Sequence, residues 1–296
     1  MLNIAIIGAG LMGRKLAAVA LQSGATVALC DANADVLSAA GAALAQEGLT
    51  PRLHANLAAA VEDASFVTEA IVENLAAKQG LFETLAGLAP DAILATNTSV
   101  LPVSEIAAHA ARPERVVGTH WWNPPDLIPV VEVVRGAATS DTVMDRTVEI
   151  LLGFGKTPVR VEKDVPGFVG NRLQHALWRE AIALIADGVC DAQTVDLMVR
   201  NTLGLRLGMM GPIENADYVG LDLTLAIHEA VLPSLNRDPA PSPLLRSLIA
   251  TGDLGAKSGR GFLPWPEGEP DRAARRLAGH VQRQLSDPQR RDSANS

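Results

Sequence analysis

The chain has 296 residues, 48% hydrophobic and 20% charged, with 25 Lys and Arg against 33 Asp and Glu and a formal charge of −8. Such a balance describes a globular chain long enough for two domains and free of bulk disorder. It argues against nucleic acid as a partner, because phosphate backbones require a basic face. The two cysteines, Cys30 and Cys190, form neither a disulfide framework nor a metal-ligand spacing. No metal is expected, and a reducing, cytoplasmic location follows. The apolar start, MLNIAIIGAG, lacks a basic flank and a cleavage site and is too short to cross a bilayer, so no membrane association is expected.

Residues 3–7, NIAII, form a β-branched run that stops at glycine, as a buried parallel strand does. LMGRKLAAVALQSG follows with helical spacing and closes on glycine. TVALCD reads as a second strand, and ANADVLSAAGAALAQEG as a helix capped by Asn33 or Asp31. RLHA, FVTEAIV, AILATNTS, VVGTHW and IPVVEVV read as further strands, with helices expected around 57–63, 75–88 and 101–110. Strands alternating with helices imply an α/β, Rossmann-type doubly wound sheet with parallel strands. After the strand TPVRVEK and the pair Pro166-Gly167, apolar residues recur at three- and four-residue spacing in almost every segment. We therefore expect a dinucleotide-binding domain over 1–163 and an all-α domain over 164–282. A polar tail over 283–296 is expected to fray. The apolar helices of the second domain call for a two-fold partner, making the chain a homodimer.

IIGAGLMG carries glycines 8, 10 and 13 in GxGxxG spacing between a strand and a helix. In that context Gly8 permits a tight turn, Gly10 lets backbone approach a pyrophosphate, and Gly13 lets helix and strand pack closely. Leu11 and Met12 lie in the first turn of the helix, whose amides and dipole favour anions. Asp31, at the end of the second strand, suits the ribose hydroxyls and repels a 2′-phosphate. No Lys or Arg stands in the following ANADVLSAA, so NAD is expected rather than NADP.

His120 and Glu132 raise a question of their own. Apolar strands seldom carry a carboxylate without a partner. A dehydrogenated alcohol must also lose its hydroxyl proton, for which an imidazole titrating near pH 6.5 is suited. Glu132, returning across the turn WNPPDLIP, could fix the tautomer of that imidazole. Spacing alone leaves open a solvent-facing glutamate beside an ordinary core histidine.

At this point the sequence resembles the L-3-hydroxyacyl-CoA dehydrogenases. The resemblance runs through IIGAGLMG, EAIVEN, ATNTSVLP, HWWNPP, VEVV, DVPGFVGNRL, MGPIENADYVGLD and AKSGRGF. It implies His120 as general base, Glu132 as its orienting partner, and Ser99 and Asn171 as polar groups positioning the substrate oxygen and the imidazole. It also implies that Glu73, Lys78, Asn97, Ser99, Asn123 and Lys257 line the cofactor or the cleft.

The sequence departs from the CoA-using members in two respects. Between the second strand and EAIVEN they insert a helical hairpin with basic residues for CoA; here the interval is compact and Arg52 is its only Lys or Arg. The pair Trp121-Trp122 is also bulkier than the usual Phe-Phe and narrows a pocket. NRLQHA and GLRLGMMGP are similar to the CoA-independent branch, the L-gulonate dehydrogenase and lambda-crystallin-like proteins. Arg206 would there clamp a substrate carboxylate, unless it is a plain helix-surface arginine. The expected substrate is a small 3-hydroxy, or aromatic hydroxy or aldehyde, carboxylate. The alternatives are an acyl thioester, as in a 3-hydroxybutyryl-CoA dehydrogenase of fatty-acid metabolism, and an inactive NAD-binding crystallin-like structural protein.

Overall fold

The computed structural model describes residues 2–286. The chain divides into two compact units at Arg172/Leu173. The first opens with β1 (Asn3–Ile7), α1 (Leu11–Gln22), β2 (Thr26–Cys30), α2 (Ala34–Gln46), β3 (Arg52–His54), α3 (Leu57–Val61) and β4 (Phe66–Glu69). It continues with α4 (Leu75–Leu88), β5 (Ile93–Thr96), α5 (Val103–Ile106), β6 (Val116–Trp121), β7 (Val130–Val134), α6 (Asp141–Gly153) and β8 (Thr157–Val161). One eight-stranded sheet results, in the order β3-β2-β1-β4-β5-β6-β7-β8.

Strand order reverses between β1 and β4, the switch point at which open α/β sheets bind ligands beyond their strand ends. All neighbours run parallel except β6 and β7, which are antiparallel. This local departure from the expected pattern has a simple cause. Residues 122–129 are too few for a crossover, which takes a dozen or more, so the chain turns straight back.

Alternation along the strands builds a core on each face. Ile4 and Ile6 join Leu16, Val19 and Leu44 on one side, while Ala5 and Ile7 join Val67, Phe82 and Phe168 on the other. Side-chain caps set where helices begin. Asn33, not Asp31, caps α2, its Oδ1 accepting from the amides of Asp35 and Val36, and Asn74 caps α4 through Ala77. Helix α6 was not among the expected elements. Its signal is present nonetheless: Ser140 as cap, then buried Val143, Met144, Thr147, Ile150 and Leu151 at helical spacing.

Helix α7 (Gly170–Ala186) begins in the first unit and leads into α8 (Ala192–Asn201), α9 (Leu203–Leu207), α10 (Pro212–Val219), α11 (Leu221–Val231), α12 (Pro243–Ala250) and α13 (Glu269–Ser286). The second unit is thus all-α, but it has almost no core. Ala183 is its only buried residue among the described ones, while Trp178, Leu205, Ile213, Tyr218 and Leu225 lie exposed. Of the polar tail expected over 283–296, residues 283–286 continue α13 and the rest lie outside the described residues. Among the described residues no helix is long and apolar enough to cross a membrane.

Candidate active site

The first unit collects nearly all its expected site residues at one edge of the sheet. The loop after β1 carries Gly8 and Gly10, and Gly8 donates its N–H to the carbonyl of Cys30 (2.7 Å). Gly8 has φ +100°, and a Cβ there would lie 2.8 Å from the carbonyl oxygen of Ala70. A Cβ on Gly13 would sit 1.7 Å from the oxygen of Gly8, so α1 can close on the loop only with glycine there. A Cβ on Gly10, by contrast, would meet nothing within 4 Å. Gly10 is also the N-cap of α1 and offers no side-chain acceptor to the amides that begin the helix at Leu11, Met12 and Gly13. Open space above unpaired helix-start amides is a cradle that fits a dinucleotide pyrophosphate. Asp31 lies beside it, with Oδ2 accepting from Ala9 N–H (2.7 Å) and Oδ1 from Asn33 N–H (2.8 Å).

The loops after β4 and β5 form a second layer. Glu73 accepts through Oε1 from Thr98 Oγ1 (2.5 Å), Ser99 N–H (2.9 Å) and Val100 N–H (3.2 Å). Burial pushes the Glu73 carboxyl up, but these donors and Lys78 outweigh it, leaving the pKa below its ordinary value. Ser99 is held from its other side too, its carbonyl accepting from Asn171 Nδ2 (2.9 Å). Asn97 Oδ1 accepts from the amide of Trp121 (3.0 Å).

Lys78, expected to line the cofactor or the cleft, is buried. Its side chain is 1% exposed, and its ammonium lies 2.7 and 2.8 Å from the oxygens of buried Glu69 and 3.3 Å from Glu73 Oε2. Its ammonium is thus shared by two carboxylates, one of them Glu73. Glu69, which also accepts from Thr96 Oγ1 and from Ile71 N–H (3.0 Å), went unremarked in the sequence. Its signal was a second acid in EAIVEN, within reach of one helix.

His120 and Glu132 face each other directly in the antiparallel register of β6 and β7. The imidazole Nδ1 lies 2.6 Å from Glu132 Oε2, with both side chains 5% exposed. Glu132 Oε1 accepts from the amides of Val169 (3.0 Å) and Gly170 (3.1 Å), where α7 begins. Burial raises the Glu132 carboxyl, and the His120 bond with the two amides lowers it further than burial lifts it, so the net shift is down. Nε2 of His120 makes no hydrogen bond to a described residue. The ring is flanked by Trp122 (centroids 5.1 Å) and Phe168 (5.8 Å). Phe168 is fully buried and takes φ +48°. The sequence did not mark it, nor the two amides that follow it.

Trp121, expected as a substrate contact, is buried. It is 7% exposed, packs into the core beside Val131 and Val133, and lies under Lys156. Successive strand residues point to opposite faces, so only one of the two tryptophans could share the side of His120. Trp122, half-buried, has that place, and a Cβ on Gly170 would come within 2.2 Å of its Cζ2. Asn123 is exposed in the turn that follows. Arg206 and Lys257 belong to the second unit, exposed and without an ion-pair partner among the described residues.

An imidazole with one nitrogen held by a carboxylate and the other without a protein partner among the described residues can exchange a proton with a bound alcohol or carbonyl. Comparison with known proteins gives the chemistry a setting. Residues 3–54 and 47–165 match the model of the 3-hydroxyacyl-CoA dehydrogenase NAD binding domain, and residues 167–265 that of the C-terminal domain. The 5-formyl-3-hydroxy-2-methylpyridine 4-carboxylate 5-dehydrogenase of Mesorhizobium japonicum is 35% identical, over 88% of this chain and 89% of its own. A probable 3-hydroxybutyryl-CoA dehydrogenase of Bacillus subtilis is 38% identical, over 90% and 98%. Among solved structures, a 5-formyl-3-hydroxy-2-methylpyridine 4-carboxylic acid 5-dehydrogenase described as an NAD+-dependent dismutase superposes with TM-score 0.86 at 32% identity, covering 95% of this chain and 96% of that one.

Proposed function

Since this chain belongs to the 3-hydroxyacyl-CoA dehydrogenase family and is an NAD-dependent oxidoreductase, we propose that His120 is its general base and Glu132 the carboxylate that orients it. The observation that carries this reading is the 2.6 Å contact between His120 Nδ1 and Glu132. In this reading Nδ1 carries the proton toward the carboxylate and Nε2 is the acceptor. NAD supplies the hydride acceptor or donor. His120 Nε2 takes the hydroxyl proton in oxidation and returns it in reduction, and Glu132 stabilises the imidazolium in between. Ser99 Oγ donates to the reacting oxygen, while Asn171 holds the Ser99 loop through its carbonyl. The Leu11, Met12 and Gly13 amides take the pyrophosphate and Asp31 the ribose. Asn97, Asn123, Glu73 and Lys257 border the cofactor, and Lys78 acts through Glu73. Intact acid-base geometry disfavours a purely structural, crystallin-like role.

For substrate, we propose a small free hydroxy or aldehyde carboxylate rather than an acyl-CoA. Between β2 and β4 the chain has room only for α2, β3 and α3. Arg52, the lone Lys or Arg of that interval, is already 3.8 Å from Asp63. A CoA phosphate would have little there to hold it, and Trp122 narrows the space at the imidazole for a compact or planar acid. Arg206 is assigned to the substrate carboxylate. A homodimer in the cytoplasm completes the proposal, since a helical unit with one buried residue among those described needs a second copy to make a core.

Steady-state NADH fluorescence across a panel tests the reading. The panel holds 3-hydroxybutyrate, L-gulonate, the pyridine aldehyde carboxylate named above, and 3-hydroxybutyryl-CoA. Turnover of a free acid that H120A lowers by about 10²–10⁴-fold, with NADH still bound, supports it. Micromolar KM for the CoA ester alone would refute the substrate class, and wild-type rates in H120A would refute the base.

A further inference from the structure

Lys156 is a buried cation that the chemistry above does not use. It follows Gly155 (φ +70°) between α6 and β8, is 9% exposed, and touches no carboxylate among the described residues. Its ammonium instead donates to the carbonyls of Pro125 (2.5 Å) and Ile128 (3.2 Å) and lies 5.7 Å from the centre of the Trp121 ring. Burial pulls its pKa down and Asp126 partly opposes that. Leaving a desolvated ammonium without an anion is costly, so the carbonyls that receive it must gain from its presence.

Those carbonyls belong to the turn joining the His120 strand to the Glu132 strand. Inside it, the amides of Leu127 and Ile128 both donate to Pro124 O (3.1 and 2.9 Å), which aims the Pro125 and Ile128 carbonyls at one point. Without a cation there, two acceptors would be buried against each other and the Trp121 ring. From outside, Lys15 of α1 pairs with Asp126 at 3.0 Å, tying the same turn to the helix that starts at the glycine loop. The turn begins directly after Trp122, the residue that lies against the imidazole.

We propose that Lys156 is a positioning residue for the active site: by gathering the Pro125 and Ile128 carbonyls it fixes the turn that holds Trp122 over His120, and so sets the space in which substrate meets the imidazole. The inference rests on the proposed role of His120 for its catalytic consequence, but not for its geometry. Trp122 guards the ring whether or not the ring is the base.

The test therefore has two readouts, on Lys156→Met, which keeps length and loses charge, and on Lys156→Gln, which keeps one donor. The first is the rate at which diethyl pyrocarbonate modifies each of the six histidines, followed by peptide mass spectrometry. The expected result is a rise at His120 alone, larger in K156M than in K156Q, with His54, His109, His175, His228 and His280 unchanged. The second is kinetic, with the best substrate of the panel above: kcat/KM falls about tenfold or more, mainly through KM, while the NADH dissociation constant stays put. Unchanged modification of His120 in both variants overturns the proposal, and so does a uniform rise at all six histidines, which would mean general loosening. If K156M does not fold, the K156Q profile decides by the same criteria. Should H120A keep wild-type rates while K156M exposes His120, the function assigned to the ring fails and the positioning role stands.

Discussion

Glu132→Gln is the sharpest perturbation of the site, because the structure dictates how the amide must sit. Glu132 Oε1 receives two N–H donors, from Val169 and Gly170, and Oε2 faces His120 Nδ1. A glutamine placing its NH2 group against the two amides would bury donors against donors, so its oxygen must take that side. The NH2 then points at Nδ1 and makes it an acceptor, which forces the ring proton onto Nε2. The imidazole keeps its place but has the wrong tautomer, with no lone pair for the substrate proton. Loss of a positioned base is worth about 10²–10⁴ in rate, or about 3–5 kcal/mol at 1.36 kcal/mol per decade. We expect kcat to fall by that factor with NADH affinity unchanged. Nitrogen-15 NMR of the histidines should report Nε2–H in the variant and Nδ1–H in the wild type at neutral pH. A variant with kcat within a few-fold of wild type, or with the Nδ1–H tautomer intact, would refute the orienting role of Glu132.

Other perturbations test neighbouring parts of the argument. Lys78→Met strips the cation from fully buried Glu69, which should cost about 3–5 kcal/mol and lower Tm by roughly 10 °C in calorimetry. An unchanged Tm with weakened NADH binding would instead return Lys78 to the cofactor. Asp31→Ala removes the ribose acceptor and the anchor of the Ala9 amide, so the KM for NAD should rise about tenfold or more while NADP gains relative to it. Gly170→Ala puts a methyl where Trp122 Cζ2 stands. The displaced indole should raise substrate KM and leave NADH titrations unaltered. Glu73 and Glu132 both have folded pKa values below the ordinary 4.5. Their contribution to stability is therefore complete above that pH and disappears as pH falls through the lowered folded values. Urea melts between pH 7 and pH 3 should show that acid-side loss, shallower in E132Q.

What could be read from sequence, and what could not, follows from where the information resides. The glycine loop was legible because its constraint is steric and local: the 1.7 Å approach at Gly13 admits no side chain. A carboxylate inside an apolar strand and a short turn made His120 and Glu132 candidates for a pair, but spacing alone left a solvent-facing glutamate open and the family resemblance was needed to choose. The burial of Trp121 was legible too, because adjacency in sequence is opposition in a strand, as alternation along VVGTHW implies. The burial of Lys78 was not legible. A lysine is exposed by default, and only the return of β4 beside α4 brings Glu69 to its ammonium. Backbone donors carry no residue label at all, so the amides of Val169 and Gly170 were invisible.

Those two amides explain why the chain changes character where it does. For Val169 and Gly170 both to reach Glu132, the chain must enter α7 through a left-handed residue, and Phe168 takes that conformation at φ +48° rather than leaving it to Gly167 alone. A non-glycine residue held there costs about 1–3 kcal/mol. Two hydrogen bonds to a carboxylate contribute about 1.5–3 kcal/mol each, and the Phe168 ring is wholly buried against His120. The balance favours the strained entry. The carboxylate that orients the imidazole is thus also the acceptor that anchors the first turn of α7. Neutralising it should loosen that turn as well as disable the base, so hydrogen exchange at Val169 and Gly170 ought to accelerate in E132A, which has no acceptor, and stay slow in E132Q, which keeps one. Equal protection in both variants would break the link between the imidazole and the helix.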